Sequence, residues 1–258
     1  MKLKVNLFLC LVLSLFLAAC GGGGSGSDGG GGGSGGTPVV TTDQPGKIPG
    51  MGETPGSLQG TSFKLPAGVV LLGDAAGALP YHQSETKDAL APKLTWIAGT
   101  YDAQIGSGFD VSINLRLLNK NASAIKVVFP VLLIAKPRDS KNQVGVLLKE
   151  TSITLQPNVE YSVALLMYCA QRQRIGAIMG SVYDLSMVSS SSTLKELADL
   201  LVDKKINVEE YGDSLNDLTA YNSVYQGLST IVWNLTDHGV PMSNADKQWI
   251  ASIPDSQH

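Results

Sequence analysis

Residues 109–117 read FDVSINLRL, and this stretch decides which class of fold the chain adopts. Its apolar side chains occupy every second position: Phe109, Val111, Ile113, Leu115 and Leu117. Successive side chains of a β-strand point to opposite faces, so a period of two predicts a strand with one buried face. The polar residues 119–121 follow directly and predict that the chain turns there into a second strand.

Further strand-like segments lie on both sides of this stretch. They are residues 63–72, 94–101, 125–135, 144–149, 152–155 and 159–167. Residues 125–135 are almost all apolar and rich in β-branched side chains, which predicts a strand covered on both faces. Six or seven short strands at this spacing predict an antiparallel, Ig-like β-sandwich over residues 61–170.

The pattern changes to a helical period after about residue 190. Thr193 followed by Glu196 is typical of a capping box at a helix start. Apolar residues then recur at three and four positions through 221–235, and Gly239 stands just past that run, where it predicts a helix end. We therefore expect a small helical subdomain over residues 171–258, with Trp233 packed against the strands or a neighbouring helix.

The N-terminus carries the pattern of an export signal. Lys2 and Lys4 precede an apolar run over residues 7–17, which is too short to span a bilayer. The run ends in Leu-Ala-Ala-Cys at 17–20, which resembles the lipobox of bacterial lipoproteins. The resemblance implies that residues 1–19 are a signal peptide, and that Cys20 becomes the first residue and carries fatty acyl chains of the palmitate type.

Lipid on Cys20 implies that the partner at this end of the chain is a membrane. Gly21, rather than aspartate, follows the cysteine, which favours the outer membrane or cell surface over the inner membrane. Residues 20–60 are rich in glycine and proline and offer little apolar surface to bury. They therefore predict a flexible tether between the lipid and the folded part.

Composition excludes several classes of function. The chain has 19 basic and 22 acidic residues, and loss of the signal peptide would leave a net charge of −5. An acidic chain without a cluster of cations argues against nucleic acid as a partner. His82, His238 and His258 follow no metal-binding or catalytic spacing, so we expect no catalytic residues, no metal site and no cofactor. The acidic pair Glu209 and Glu210 is expected to lie on a solvated face.

Cys169 is the cysteine that remains in the folded part once Cys10 is removed and Cys20 is modified. Tyr168-Cys169, followed by the helix that ends in residues 231–237, resembles the thioester domains of Gram-positive surface adhesins. That family joins a strand cysteine to a helix glutamine and captures an amine on a host protein. The glutamine normally stands four residues before the tryptophan. Ser229 occupies that position here, so the resemblance makes Cys169 and Gln226, the nearest glutamine, the candidate reactive pair.

Three functions follow from the sequence. The first is a non-enzymatic, lipid-anchored binding or structural module of the cell envelope, presented to a protein or envelope partner on its tether. The second is a covalent adhesin that uses a thioester between Cys169 and Gln226. The third is an envelope hydrolase whose site assembles from residues that sequence spacing does not reveal.

Overall fold

The computed structural model describes residues 43–78, 101–212 and 215–257. Eleven strands and three α-helices lie within them. The strands are β1 Gly60–Ser62, β2 Val69–Leu71, β3 Ala75–Gly77, β4 Ala103–Gly106, β5 Val111–Asn119, β6 Ile125–Phe129, β7 Leu133–Pro137, β8 Gly145–Val146, β9 Thr151–Leu155, β10 Glu160–Cys169 and β11 Val182–Ser189. The helices are α1 Ser192–Leu201, α2 Leu215–Trp233 and α3 Asn244–Ser252, with a 3-10 helix at Val208–Glu210 and a π-helical turn at Asn234–His238. The chain is thus mainly β with helices at its C-terminal end, as predicted.

Six of the strands close into a ring. Antiparallel pairs join β5 to β3, β3 to β11, β11 to β7, β7 to β8, β8 to β10 and β10 back to β5. β1, β2 and β4 extend this sheet on β11, β5 and β10, while β6 and β9 form a separate pair. The predicted Ig-like sandwich of two facing sheets is therefore wrong, because β5 and β10 hydrogen-bond directly and close one sheet into a small barrel.

Strand β5 follows the period that its sequence predicts. Its alternate apolar side chains and those of β10 fill the barrel interior: Val111, Ile113, Leu115, Leu117, Val163, Leu165, Met167 and Cys169. The intervening residues of β10, Ala164, Leu166 and Tyr168, are buried on the outside, in clusters that include α2. Because both faces of β10 are covered, its sequence from Val163 onward is apolar throughout.

The predicted single strand over 125–135 is two strands. Pro130 lacks a backbone N–H and Leu132 has a left-handed φ of 61°, so the chain breaks between β6 and β7. β6 then pairs with β9, whereas β7 enters the barrel between β8 and β11. The strand expected at 94–101 falls mainly on residues that the structure does not describe.

The boundary expected between residues 170 and 171 does not separate two domains. β11 follows that boundary in sequence and contributes to the barrel through β3 and β7, so the helices begin only at Ser192. Contacts join strands and helices into one compact unit, Val40–His258. None of the described helices is both long and apolar enough to cross a bilayer.

Helix α1 begins two residues before the start that the predicted capping box implies. Ser191 is its N-cap and accepts a hydrogen bond from the Leu194 N–H, while Asp43 accepts one from the Thr193 N–H. The end of α2 agrees with the sequence: the π-helical turn ends at Gly239, whose φ is 68°. Left-handed backbone of this kind favours glycine, which explains why the helix stops there.

Residues 43–59 form a strap across the helices, and we call this segment the N-terminal strap. Ile48 and Met51 are buried in the cluster that contains α1, α2 and α3. The Gly46 N–H donates to the Leu235 carbonyl at 2.7 Å, and the Gly52 N–H donates to the Ala170 carbonyl at 2.7 Å. The prediction that all of residues 20–60 form a free tether is therefore wrong from Asp43 onward. Residues 20–42 lie outside the described part.

Candidate functional site

The described structure does not bring together the two residues of the predicted reactive pair. Cys169 ends β10 inside the barrel and is 1% exposed, whereas Gln226 is exposed on α2. Ser229 occupies the buried face of α2 and is 2% exposed. The position that the thioester resemblance assigns to the acyl partner thus faces inward, but it holds a hydroxyl that cannot form a thioester.

Asp110 organises the polar groups on this face of α2. Its carboxylate accepts hydrogen bonds from the Tyr225 hydroxyl at 2.6 Å and the Ser229 hydroxyl at 3.3 Å. Burial raises the pKa of Asp110, although these bonds and one from the Cys169 backbone act to lower it. These contacts tie α2 to the start of β5, so we assign this cluster a structural role.

The Cys169 thiol is held in its protonated form. Burial raises its pKa to about 12, and the carboxylates of Asp110 and Asp237 act in the same direction. The Gln171 N–H donates to its Sγ at 3.1 Å, which opposes the shift. Trp233 packs half-buried on the same barrel core, with the Arg172 guanidinium 5.1 Å from its ring centroid. A protonated, buried thiol is a poor nucleophile.

Alkylation of Cys169 is expected to be at least about 100-fold slower in the native protein than after denaturation, because only the thiolate reacts. Iodoacetamide labelling of residues 20–258 carrying Cys20→Ser, in which Cys169 is the one cysteine, followed by intact-mass measurement with and without denaturant, tests this. The same spectrum should show the full mass of the chain. Rapid native labelling would contradict the prediction, as would a deficit of one ammonia that amine treatment removes.

Of the three histidines, the structure describes His238. His82 and His258 lie outside it. His238 is exposed, and its Nε2 lies 3.1 Å from the Arg172 guanidinium. Among the residues described, no group of three or more His, Cys, Asp or Glu side chains is arranged to hold a metal ion. The predicted lipidation site, Cys20, also falls outside the described residues.

A cavity of about 350 Å³ lies where β2, β3, β5 and β11 meet. Its walls are mainly apolar: Phe63, Leu65, Leu71, Ala75, Leu115, Leu117, Tyr183 and Leu185. Leu115 and Leu117 point inward because of the period of β5, and Phe63 is fixed by its N–H bond to the Ser186 carbonyl. The volume falls within the range of roughly 300–1,000 Å³ that is usual for small-molecule sites.

Three charged side chains stand at the rim of this cavity. Arg138 follows β7, Asp184 lies on β11, and Asp74 follows the left-handed turn at Gly73, whose φ is 81°. Arg138 Nη2 lies 3.0 Å from Asp184 Oδ1, and Nη1 lies 3.0 Å from Asp74 Oδ1. Because all three side chains are about half exposed, they are accessible to a molecule that enters the cavity.

Tyr183 is a further lining residue of this cavity. The residue is 1% exposed, and its hydroxyl is buried. Burial raises the pKa of Tyr183 to about 12, with Ser181 acting in the opposite direction. A neutral, buried hydroxyl beside apolar walls suits ligand binding better than acid–base chemistry at neutral pH.

Sequence reasoning missed this cavity. β11, which carries Tyr183 and Asp184, is not among the strands that the sequence analysis predicts. Residues 183–187 read YDLSM, so a period of two is present in the sequence and is the signal that could have found β11. No protein family, curated protein or solved structure matches this chain. The candidate site therefore rests on its geometry.

Proposed function

We propose that this chain is a lipid-anchored, non-enzymatic binding module of the bacterial cell envelope whose barrel cavity takes a small ligand. The cavity carries this proposal, because it combines apolar walls with a few charged groups at its mouth, as small-molecule sites do. The buried, protonated thiol of Cys169 favours binding over covalent capture.

The lipid anchor is supported by the order of charge, apolar run and Leu-Ala-Ala-Cys at the N-terminus. The strap shortens the segment between lipid and folded part to residues 20–42. Twenty-three residues reach at most roughly 80 Å when fully extended. The cavity would then be held near the membrane, where amphipathic molecules concentrate.

Cys20→Ser is expected to abolish lipid labelling and to shift the protein from the detergent phase to the aqueous phase, because at least two acyl chains are needed for stable anchoring. Metabolic labelling with a fatty acid, followed by phase partitioning, measures both. Equal partitioning of the serine variant and the wild type would show that another segment holds the membrane.

Filling the mouth of the cavity is expected to weaken ligand binding at least about tenfold, or about 1.4 kcal/mol. Ser186 is exposed and lines the cavity, so Ser186→Trp places a large ring there. Thr154→Trp is the matched control, since Thr154 is an exposed strand residue on β9, away from the cavity lining.

Titration with the neutral apolar fluorophore N-phenyl-1-naphthylamine measures the effect, and thermal unfolding checks that both variants fold. Saturable binding by the wild type and Thr154→Trp, with loss in Ser186→Trp, supports the proposal. Absence of binding by the wild type, or equal binding by all three proteins, contradicts it.

A further inference from the structure

The rim of the cavity carries more acid than base. Among the described residues that line the cavity, Arg138 is the one cation, and it stands between two carboxylates, Asp74 and Asp184. Lys136 is the cross-strand neighbour of Asp184, but it does not line the cavity. The described lining residues therefore have a net charge of −1 at neutral pH.

The hydrogen bonds of Arg138 leave acceptors available. Its Nε and Nη2 both reach Asp184 Oδ1 at 3.0 Å, and its Nη1 reaches Asp74 Oδ1. The guanidinium thus engages one oxygen of each carboxylate, and no described residue donates a hydrogen bond to Oδ2 of either acid, so that oxygen can accept from another donor. An ionised carboxylate can only accept, so the complementary group on a ligand must donate.

The structure assigns a ligand class to this site: we propose that the cavity takes a molecule with an apolar body and a primary or secondary ammonium head. This inference rests on the proposed function of the cavity as a ligand site. The apolar body would contact Leu71, Leu115 and Leu117. The head would donate to Asp74 and Asp184 at the rim, where charge-assisted bonds are stronger than bonds from a neutral head.

A carboxylate head fits this rim poorly. It would meet two acids whose charge exceeds that of Arg138, and the guanidinium is already engaged on both sides. A neutral hydroxyl would bond to the acids without the gain from opposite charge. The expected order of affinity for heads on equal chains is therefore ammonium, then alcohol, then carboxylate.

Displacement of N-phenyl-1-naphthylamine by octylammonium, octanol and octanoate tests this order. Residues 20–258 carrying Cys20→Ser, which lack both the signal peptide and the lipid, are used at pH 7, so that no detergent competes for the cavity. Octylammonium should bind at least tenfold more tightly than octanol, and octanoate should bind least. Asp74→Asn with Asp184→Asn should reduce the preference for ammonium over alcohol to threefold or less.

Two further variants sharpen the test. Arg138→Gln leaves both acids without their cation, so it should tighten octylammonium binding and weaken octanoate binding. Asp199→Asn, on the exposed face of α1, removes an acid outside the cavity and should leave the affinities for all three ligands unchanged.

Each negative outcome has a distinct meaning. If the fluorophore binds but octanol or octanoate equals octylammonium, or none of the three displaces it, the ligand class is wrong and the cavity remains a binding site. If the fluorophore itself does not bind to the wild type, the proposed function fails together with this inference.

Discussion

A chain that begins at Gly60 is expected to lose several kcal/mol of stability relative to one that begins at Asp43. The N-terminal strap covers apolar core: Met51 is 0% exposed and Ile48 is 3% exposed, both within the cluster that holds the helices. Truncation would expose that cluster to water and leave the Ala170 and Leu235 carbonyls without the strap N–H groups that they accept from.

Met51→Ala measures how much of this stability comes from one buried side chain of the strap. Replacing a fully buried methionine by alanine costs about 2–5 kcal/mol, because burial is lost and a cavity remains. That is a large part of the roughly 5–15 kcal/mol that stabilises a typical domain. Urea unfolding of chains starting at Asp43, with and without the substitution, measures it.

Gly52→Ala and Gly180→Ala form a matched pair of variants that separates the docking of the strap from backbone strain. Gly52 has a φ of 54°, and a Cβ there would stand 2.2 Å from the Thr236 carbonyl oxygen. Gly180 also has a positive φ, 89°, but open space around it. Gly180→Ala should lower the free energy of unfolding by about 1–2 kcal/mol through backbone strain alone. Gly52→Ala should lower it by at least about 2 kcal/mol more, because the strap can no longer dock. Equal losses would mean that the strap does not dock as described.

Lys149→Met is expected to destabilise the protein by about 3 kcal/mol, because it leaves a mostly buried carboxylate without its cation. The side chains of Lys149 and Glu210 are only 13% and 20% exposed, and Lys149 Nζ lies 2.7 Å from Glu210 Oε1. The same ammonium donates to the Lys204 carbonyl and the Ser256 hydroxyl. One cation thus joins the strands, the 3-10 helix and the C-terminal segment.

Urea unfolding of Lys149→Met, Glu210→Gln and the double variant measures the coupling within this pair. The loss in unfolding free energy of the double variant should be smaller than the sum of the losses in the two single variants, by about 1 kcal/mol or more. The reason is that the double variant leaves neither charge without its partner. Additive losses would show that the pair contributes no coupling energy.

The contribution of Glu210 should depend on pH. Burial acts to raise its pKa, but hydrogen bonds from Lys149, Ser256 and the Asn207 N–H together lower it below its usual value. A lowered pKa in the folded state means that the stabilisation is complete above the unfolded pKa and is lost as pH falls through the folded pKa. The gap in stability between wild type and Glu210→Gln should therefore be constant from pH 7 to about 5 and narrow below about 4.

The sequence by itself determined those features of this protein that depend only on residues close together in the chain. The alternation over 109–117 predicted β5 and its buried face, and the apolar positions over 221–235 with Gly239 predicted α2 and its end. Strand and helix periods are properties of a short segment, so they can be read without knowing what covers it. The order of residues in the N-terminal signal is local in the same way, and Cys20 remains a prediction from it.

Tertiary structure decided what depends on long-range partners. Residues 43–59 have the composition of a linker, yet they dock because two apolar side chains, Ile48 and Met51, meet a groove that distant helices form. Glu210 faces Lys149 rather than water, because the C-terminal segment and the strands enclose both. The closure of β5 on β10 makes a barrel from strands whose sequence suits a sandwich equally well, since both folds bury one face of each strand. The cavity follows from that closure: Asp74, Arg138 and Asp184 are far apart in sequence, and pairing among β3, β7 and β11 brings them to one rim.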